Sequence, residues 1–261
     1  MLVVIKGAGD LASGVALRLH HSGFKVVMTD LSHPLAIRRT VAFCEAIRNG
    51  EMVVEDVTAK LATTKDEVFS ILDEGFIPVL ADPETNIISE IHPDVVVDAI
   101  LAKRNLGTTI TDAKTVIGIG PGFTAGKDCH AVIESMRGHT LGRAIYEGAA
   151  LPNTNIPGLI GGFAGERVLR APADGVFTSV HKIGDIVKTG DVIGYVEGKP
   201  MVSTIDGVLR GLISDGTPVR EGLKSGDVDP RGETSYCTLV SDKALAIAGG
   251  VMEAILKLNR S

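Results

Sequence analysis

Two glycine-rich segments hold the residues whose types and spacing could do chemistry. The first, Gly7-Ala8-Gly9-Asp10-Leu11-Ala12, follows the strand-like run Leu2-Val3-Val4-Ile5-Lys6 and opens a helix-like stretch over residues 13–19. Glycines at these positions permit a tight turn and close backbone approach, and small Ala12 takes the third position of a dinucleotide fingerprint. Asp30 ends a second strand-like run about 20 residues on, where a ribose-binding carboxylate is expected. Asp10 departs from the pattern. A negative charge at a helix N-terminus opposes a bound pyrophosphate.

The second segment is Gly118-Ile119-Gly120-Pro121-Gly122-Phe123-Thr124-Ala125-Gly126-Lys127-Asp128-Cys129-His130. It follows a strand-like run and is expected to open a helix over residues 131–136. Backbone amides turned toward an anion, aided by a helix N-terminus, would make a second binding loop with Gly120, Gly122 and Gly126 as its turning points. It is not a P-loop, because Pro121 and Asp128 stand where that motif needs Gly and Ser or Thr. Cys129, beside Lys127 and His130 at the expected helix start, is the candidate nucleophile, since such surroundings favour thiolate. A small residue packed against a sheet is the alternative reading. Arg38, in the helix expected over residues 35–47, could fork onto a phosphate near Asp30. No triad, paired-carboxylate motif, redox dithiol or metal-ligand spacing is present, so no metal is expected.

These residues need a scaffold, and the chain reads as two. Up to residue 137 strand and helix patterns alternate, which predicts a Rossmann-like parallel sheet with sites at the carboxyl ends of its strands. Over residues 138–240 Gly, Pro, Asp and short β-branched runs take over. Ala171-Pro172-Ala173-Asp174-Gly175-Val176-Phe177 is echoed by Ser203-Thr204-Ile205-Asp206-Gly207-Val208-Leu209, each followed by a glycine-bearing turn. The pseudo-repeat resembles a biotinyl/lipoyl-like barrel-sandwich. Pro200 stands where an acceptor lysine would be, with Lys199 one position early, so no biotin or lipoate is expected. Residues 241–261 read as a capped C-terminal helix that packs back on the α/β domain.

Composition limits the function classes. The 261 residues are 44% hydrophobic and 22% charged, as in an ordinary globular protein, with a net charge of −6. That acidity, and an aromatic content of only 4%, argue against nucleic acid as a partner. Three widely spaced cysteines fit a reducing cytoplasm. No run is long enough for a membrane span.

Several motifs taken in order are more specific than any one alone. Lys6-Gly7-Ala8-Gly9-Asp10-Leu11-Ala12-Ser13-Gly14, Pro34-Leu35-Ala36-Ile37-Arg38-Arg39-Thr40-Val41, the glycine segment over 118–126 and Arg137-Gly138-His139-Thr140-Leu141-Gly142-Arg143 resemble the YqeB family of selenium-dependent molybdenum hydroxylase system proteins. The chain is also similar in outlook to XdhC-type accessory proteins. The resemblance implies an accessory role in maturing molybdenum hydroxylases, with a hydroxylase or its maturation machinery as partner. The ligand of the loops would be a nucleotide, a molybdopterin-type cofactor or a selenium or sulfur donor. Gly7, Gly9, Asp10, Ala12, Asp30, Arg38, Gly120, Gly122 and Gly126 would line that site together with Cys129. An NAD-dependent oxidoreductase, in which Asp30 favours NAD, and a non-catalytic scaffold docking onto a hydroxylase are the alternatives. Whether the chain is an enzyme, and whether it forms a homo-oligomer, stay open at this level.

Overall fold

The computed structural model describes residues 1–154 and 157–260. The chain divides into two compact units. Unit 1 comprises Met1–Pro34, Ala42–Thr154 and Val240–Ser261, and unit 2 comprises Leu35–Val41 and Asn155–Leu239.

Unit 1 contains, in chain order, β1 (Leu2–Lys6), α1 (Asp10–His21), β2 (Lys25–Asp30), α2 (Ala46–Asn49), β3 (Glu51–Val54), β4 (Val57–Leu61), α3 (Lys65–Asp73) and β5 (Ile77–Ala81). It continues with α4 (Ile87–Ile91), β6 (Val95–Asp98), β7 (Thr115–Ile119), β8 (Thr124–Ala125), β9 (Ala131–Ile133), β10 (Ala144–Ile145) and β11 (Gly148–Ala149). Nine of these strands form one sheet in the order β10-β9-β7-β6-β1-β2-β5-β4-β3. The strands from β9 to β4 are parallel, while β10 and β3 pair antiparallel at the two edges. Strand β1 lies in the middle, and the chain leaves it toward β2 before returning to β6 on its other side.

The central strands are apolar on both faces, as buried parallel strands must be. Val4, Val27, Val96 and Val116 share one face with Val68, Ile71 and Leu72 of α3 and with Ile87 and Ile91 of α4. Side chains alternate along a strand, so Lys6 and Asp98, each two residues beyond one of those valines, point to this same face. The C-terminal helix α5 (Asp242–Leu258) is capped by Ser241 Oγ, which accepts from the Ala244 amide at 3.2 Å. It crosses α1 so closely at Gly14 that a Cβ there would lie 2.6 Å from Ala244 Cβ.

Unit 2 contains β12 (Val168–Arg170), β13 (Gly175–Ser179), β14 (Ile186–Val187), β15 (Val192–Val196), β16 (Lys199–Val202), β17 (Gly207–Leu212), β18 (Pro218–Val219) and β19 (Lys224–Asp229). They make two antiparallel sheets, β12-β19-β17-β14 and β16-β15-β13-β18. Leu169, Phe177, Ile193, Leu209 and Val228 fill the core. Arg210 is buried between Asp227 and Asp229, donating to both at 2.8 Å, and Arg167 and Arg231 complete the network. Burial works to raise the Asp229 carboxyl, but the Arg231 bonds and the Arg210 charge hold it below the usual carboxylate range.

Three expectations are corrected. The fold is not a Rossmann-like parallel domain followed by a biotinyl/lipoyl-like barrel-sandwich. The large sheet is mixed, and its connections over residues 99–114 and 120–130 carry no helix. The β unit is two four-stranded sheets that also take in Leu35–Val41 from the first part of the chain, through a bond from the Leu212 amide to Ile37 O at 2.7 Å. The helix expected over 35–47 is instead two 3₁₀ turns and the short α2, because the chain passes between units at Val41 and Ala42. The helix expected over 131–136 begins as strand β9, whose β-branched Val132 and Ile133 pair in parallel with β7.

Candidate functional site

The first glycine loop is closed by the chain itself. The Ala8 amide donates to Asp30 Oδ2 at 2.7 Å, and Ala8 O accepts from the Cys44 amide at 2.9 Å and from Ser13 Oγ at 3.1 Å. Ser13 Oγ in turn accepts from the Phe43 amide at 2.8 Å. Ala8, Phe43 and Cys44 are fully buried and Ala12 nearly so. Gly7 has φ +96°, and a Cβ on it would press on the backbone of Ala99, so this glycine serves the close passage of two strand ends. Gly9 and Asp10 form the start of α1, and open space lies where a Gly9 Cβ would stand. Burial raises the Asp30 carboxyl, opposed by the Ala8 and Leu31 amides that bond to it.

The second loop is likewise self-packed. The amides of Gly120, Thr124 and Gly126 donate to Ile133 O, Asp128 Oδ2 and Cys129 O, each at 2.8 Å. A Cβ on Gly120 would meet Ser135 Oγ at 2.6 Å, and one on Gly122 would meet the Arg104 backbone at 2.7 Å. Gly126, at φ +85°, has open space around it and only turns the chain. Cys129 is fully buried, and that burial pushes its thiol up to about 11, the direction opposite to an activated nucleophile. Arg38 belongs to unit 2, where its Nη2 donates to the carbonyls of Tyr236 and Leu239 at 2.9 and 3.0 Å.

A different set of residues has hydrogen-bonding capacity left over. An open cleft of about 630 Å³ lies on the α4 face of unit 1, between α4 with its flanking turns and the helix-free crossover that leads into β7. Lys6, the last residue of β1, reaches it from the sheet. Lys6 is 8% exposed, and its Nζ donates to Thr108 Oγ1 at 2.8 Å. Thr108 Oγ1 donates onward to Asp98 Oδ2 at 2.6 Å. Asp98 is the register partner of Lys6 on β6, so the relay spans the carboxyl ends of two neighbouring central strands. This is the point where the chain departs from β1 in one direction and comes back on the other side, the usual crevice of an open α/β sheet.

Thr85 lines the same cleft. It is buried, holds φ +58°, and its Oγ1 has no hydrogen-bond partner among the described residues. Positive φ is rare for a β-branched residue and costs about 1–3 kcal/mol. The surrounding turn holds it there. The Thr85 amide donates to Asp82 O, and Asp82 Oδ2 accepts from the Ile87 amide at 3.0 Å. His92, at the other end of α4, lies in the left-handed region too, at φ +46°. Lys114 and Asp112 stand at the rim. Among the described residues no cluster of three or more His, Cys, Asp or Glu could hold a metal ion.

Sequence reasoning passed over Lys6, Thr85, Asp98 and Thr108. A signal was present for two of them: Lys6 and Asp98 each end an otherwise apolar central strand. A charged residue at that position must find a polar partner or a cleft. Nothing in the residue types marks Thr85, because its strain is a product of the folded turn.

Fold and site together define an α/β unit with an open cleft that a buried lysine lines, accompanied by an antiparallel β unit. The chain is 56% identical over 257 residues to the Escherichia coli K12 protein described as "Uncharacterized protein YqeB", a match covering 98% of this chain and 48% of that protein. It is thus a relative of YqeB, in support of the family its motifs resemble, and spans about half the length of that relative. No protein-family model matches the chain. Among solved structures, an aspartoacylase family protein from Mesorhizobium loti is 12% identical, with 87% of this chain and 84% of that chain covered and a TM-score of 0.28. A succinylglutamate desuccinylase/aspartoacylase from Rhodobacter sphaeroides is 22% identical, over 24% of this chain and 22% of that one, with a TM-score of 0.22. Likeness at these scores settles neither fold nor activity.

The expected role in maturing selenium-dependent molybdenum hydroxylases is corrected. At the first loop the Ala8 amide and carbonyl, and at the second the amides of Gly120, Thr124 and Gly126, are taken by the chain's own groups and not held out to such a cofactor. The reading as an NAD-dependent oxidoreductase fails at the same first loop, and the scaffold reading, which presumed a hydroxylase partner, is withdrawn with the maturation role. Among the described residues no helix is long and apolar enough to cross a membrane.

Proposed function

We propose that unit 1 binds a small anionic metabolite in the cleft at the carboxyl end of β1, with Lys6 as its anchoring cation. The observation that carries this reading is the buried Lys6 ammonium. An ammonium has three donors, and Thr108 Oγ1 is the hydrogen-bond acceptor for Lys6 Nζ among the described residues. Two N–H donors of a nine-tenths buried cation that lines the cleft are therefore without an acceptor among the described residues, and leaving them unpaired is costly. A bound anion would satisfy both and neutralise the charge. The cleft volume suits a small metabolite, within the range of about 300–1,000 Å³ common to such sites.

The test is a chemical-shift titration of the ¹⁵N-labelled protein with acetate, pyruvate and inorganic phosphate. Saturable shifts centred on Lys6, Thr85 and Thr108 are expected with at least one of these anions. Shifts confined to the Gly7–Ala12 or Gly118–Gly126 loops, or none at all, would overturn the reading.

A further inference from the structure

Resting on that reading, we infer that the cleft takes an elongated ligand with an anionic group at each end, one held by Lys6 and the other met by Lys114 and His92 across an apolar middle. Chain connectivity gives the cleft its direction. Strand β5 ends at Ala81, so Thr85 and the start of α4 stand at the carboxyl edge of the sheet. His92 and Pro93, which lead into β6 at Val95, stand at its amino edge. The opposite wall runs the same way. Thr108 is bonded to Lys6 and Asp98 at the carboxyl ends of β1 and β6, so Gly107 beside it belongs to that edge. Lys114 immediately precedes Thr115, the register partner of Val95, and belongs to the other. The cleft is therefore a trough along the strand direction, with Lys6 at one end and Lys114 and His92 at the other. Strand β6 spans four residues, which sets these ends about 10 Å apart along the sheet.

The two ends share a lysine and differ in burial. Lys114 is exposed, and among the described residues neither its ammonium nor the His92 ring has a hydrogen-bond or ion-pair partner. The imidazole offers an N–H donor in either charge state. Between the ends, Ile88 from α4 and Ala113 from the crossover are half-buried against the core and give the trough an apolar lining. A ligand with one anionic group satisfies Lys6 and leaves the far lysine to solvent. A second anionic group, one strand length away, gains that lysine as well. The two acids of the cleft do not cancel this. Asp112 already accepts from the Thr109 hydroxyl at 2.6 Å and from its amide at 3.2 Å. Glu84 is exposed at the Lys6 end, where solvent screens it and it weakens every anion alike. Lys114 is thus the specificity-determining residue: it selects ligand length and the second charge, whether the end groups are carboxylate or phosphate.

The test compares each long dianion with a monoanion of the same length at equal ionic strength: suberate with octanoate, and 6-phosphogluconate with gluconate. In at least one pair the dianion should bind wild-type protein about tenfold more tightly or better, the worth of one charge-assisted hydrogen bond. The pair with the larger gain names the far group as carboxylate or phosphate. Succinate, too short to span the trough, should gain no more than about twofold over butyrate. Lys114→Gln should narrow the long-chain gain to about threefold or less and leave the monoanions unchanged. Monoanion binding with no gain in either long pair would overturn the inference while leaving the anion reading intact. A gain that succinate matches, or that persists in Lys114→Gln, would do the same. If no anion of either kind binds the wild type, the underlying reading fails and the inference falls with it.

Discussion

The loop that follows β1 and the cleft that Lys6 enters start from adjacent residues of one strand, yet they differ in what their polar groups are doing. In the loop the Ala8 amide donates to the Asp30 carboxylate, and the Ala8 carbonyl accepts from the Ser13 hydroxyl and the Cys44 amide, while Ser13 accepts from the Phe43 amide. In the cleft a buried ammonium has donors to spare, and a buried hydroxyl has no partner. A binding site is recognised by unsatisfied capacity, not by the presence of glycine. The glycines of the loops mark places where two backbones pass closely, and that is a demand of folding.

The contrast can be broken most forcefully at Gly122. If it served a ligand, Gly122→Ala would cost binding and little stability. The packing against the Arg104 backbone at φ +113° predicts the reverse, a loss of about 3 kcal/mol of folding stability by urea denaturation. Gly9→Ala, with open space around the added Cβ, should cost less than about 1 kcal/mol. Equal losses in the two variants would contradict the packing account.

A smaller effect is expected at Asp30. Burial raises its carboxyl above the ordinary value of 3.8, so the folded protein holds a proton there at a pH where the unfolded chain has released it. Its contribution to stability is complete below pH 3.8 and is lost as pH rises through the folded value. Urea unfolding of wild type and Asp30→Asn at a series of pH values should show the wild type losing stability relative to the variant over that window. A relative gain with rising pH would mean that the carboxylate is stabilised by a bound or neighbouring cation. The smallest effect belongs to Cys129. With its thiol near 11 and fully buried, it should stay unreactive toward a disulfide reagent at pH 7 until the protein is unfolded. Rapid labelling of native protein at Cys129 would restore it as a candidate nucleophile.

Much of the first unit was legible in the residues. The apolar runs of β1, β2, β6 and β7 announce buried strands, and the Ser241 cap and apolar spacing announce α5. What the pattern could not show was long-range. The helix-like spacing over 35–47 is broken because the chain changes units within it, and Leu35–Val41 is held by bonds to residues nearly 200 positions away. Likewise, residues 131–133 become a strand because β7 offers an edge, which no local propensity reports. The site was hidden for a similar reason. Lys6, Asp98 and Thr108 meet only through sheet register and the helix-free crossover over residues 99–114, and the strain at Thr85 exists only in the finished turn.

The most direct measurement is the affinity of Lys6→Met for acetate beside its unfolding free energy. Methionine matches the stem of lysine in volume and removes the charge, so stability should stay within about 1.5 kcal/mol of wild type. Acetate affinity should fall by roughly 30-fold or more, the loss of charge-assisted hydrogen bonds with nothing to replace them. Acetate binding within about threefold of wild type, in a protein that remains folded, would contradict the assignment of Lys6 as the anion's anchor.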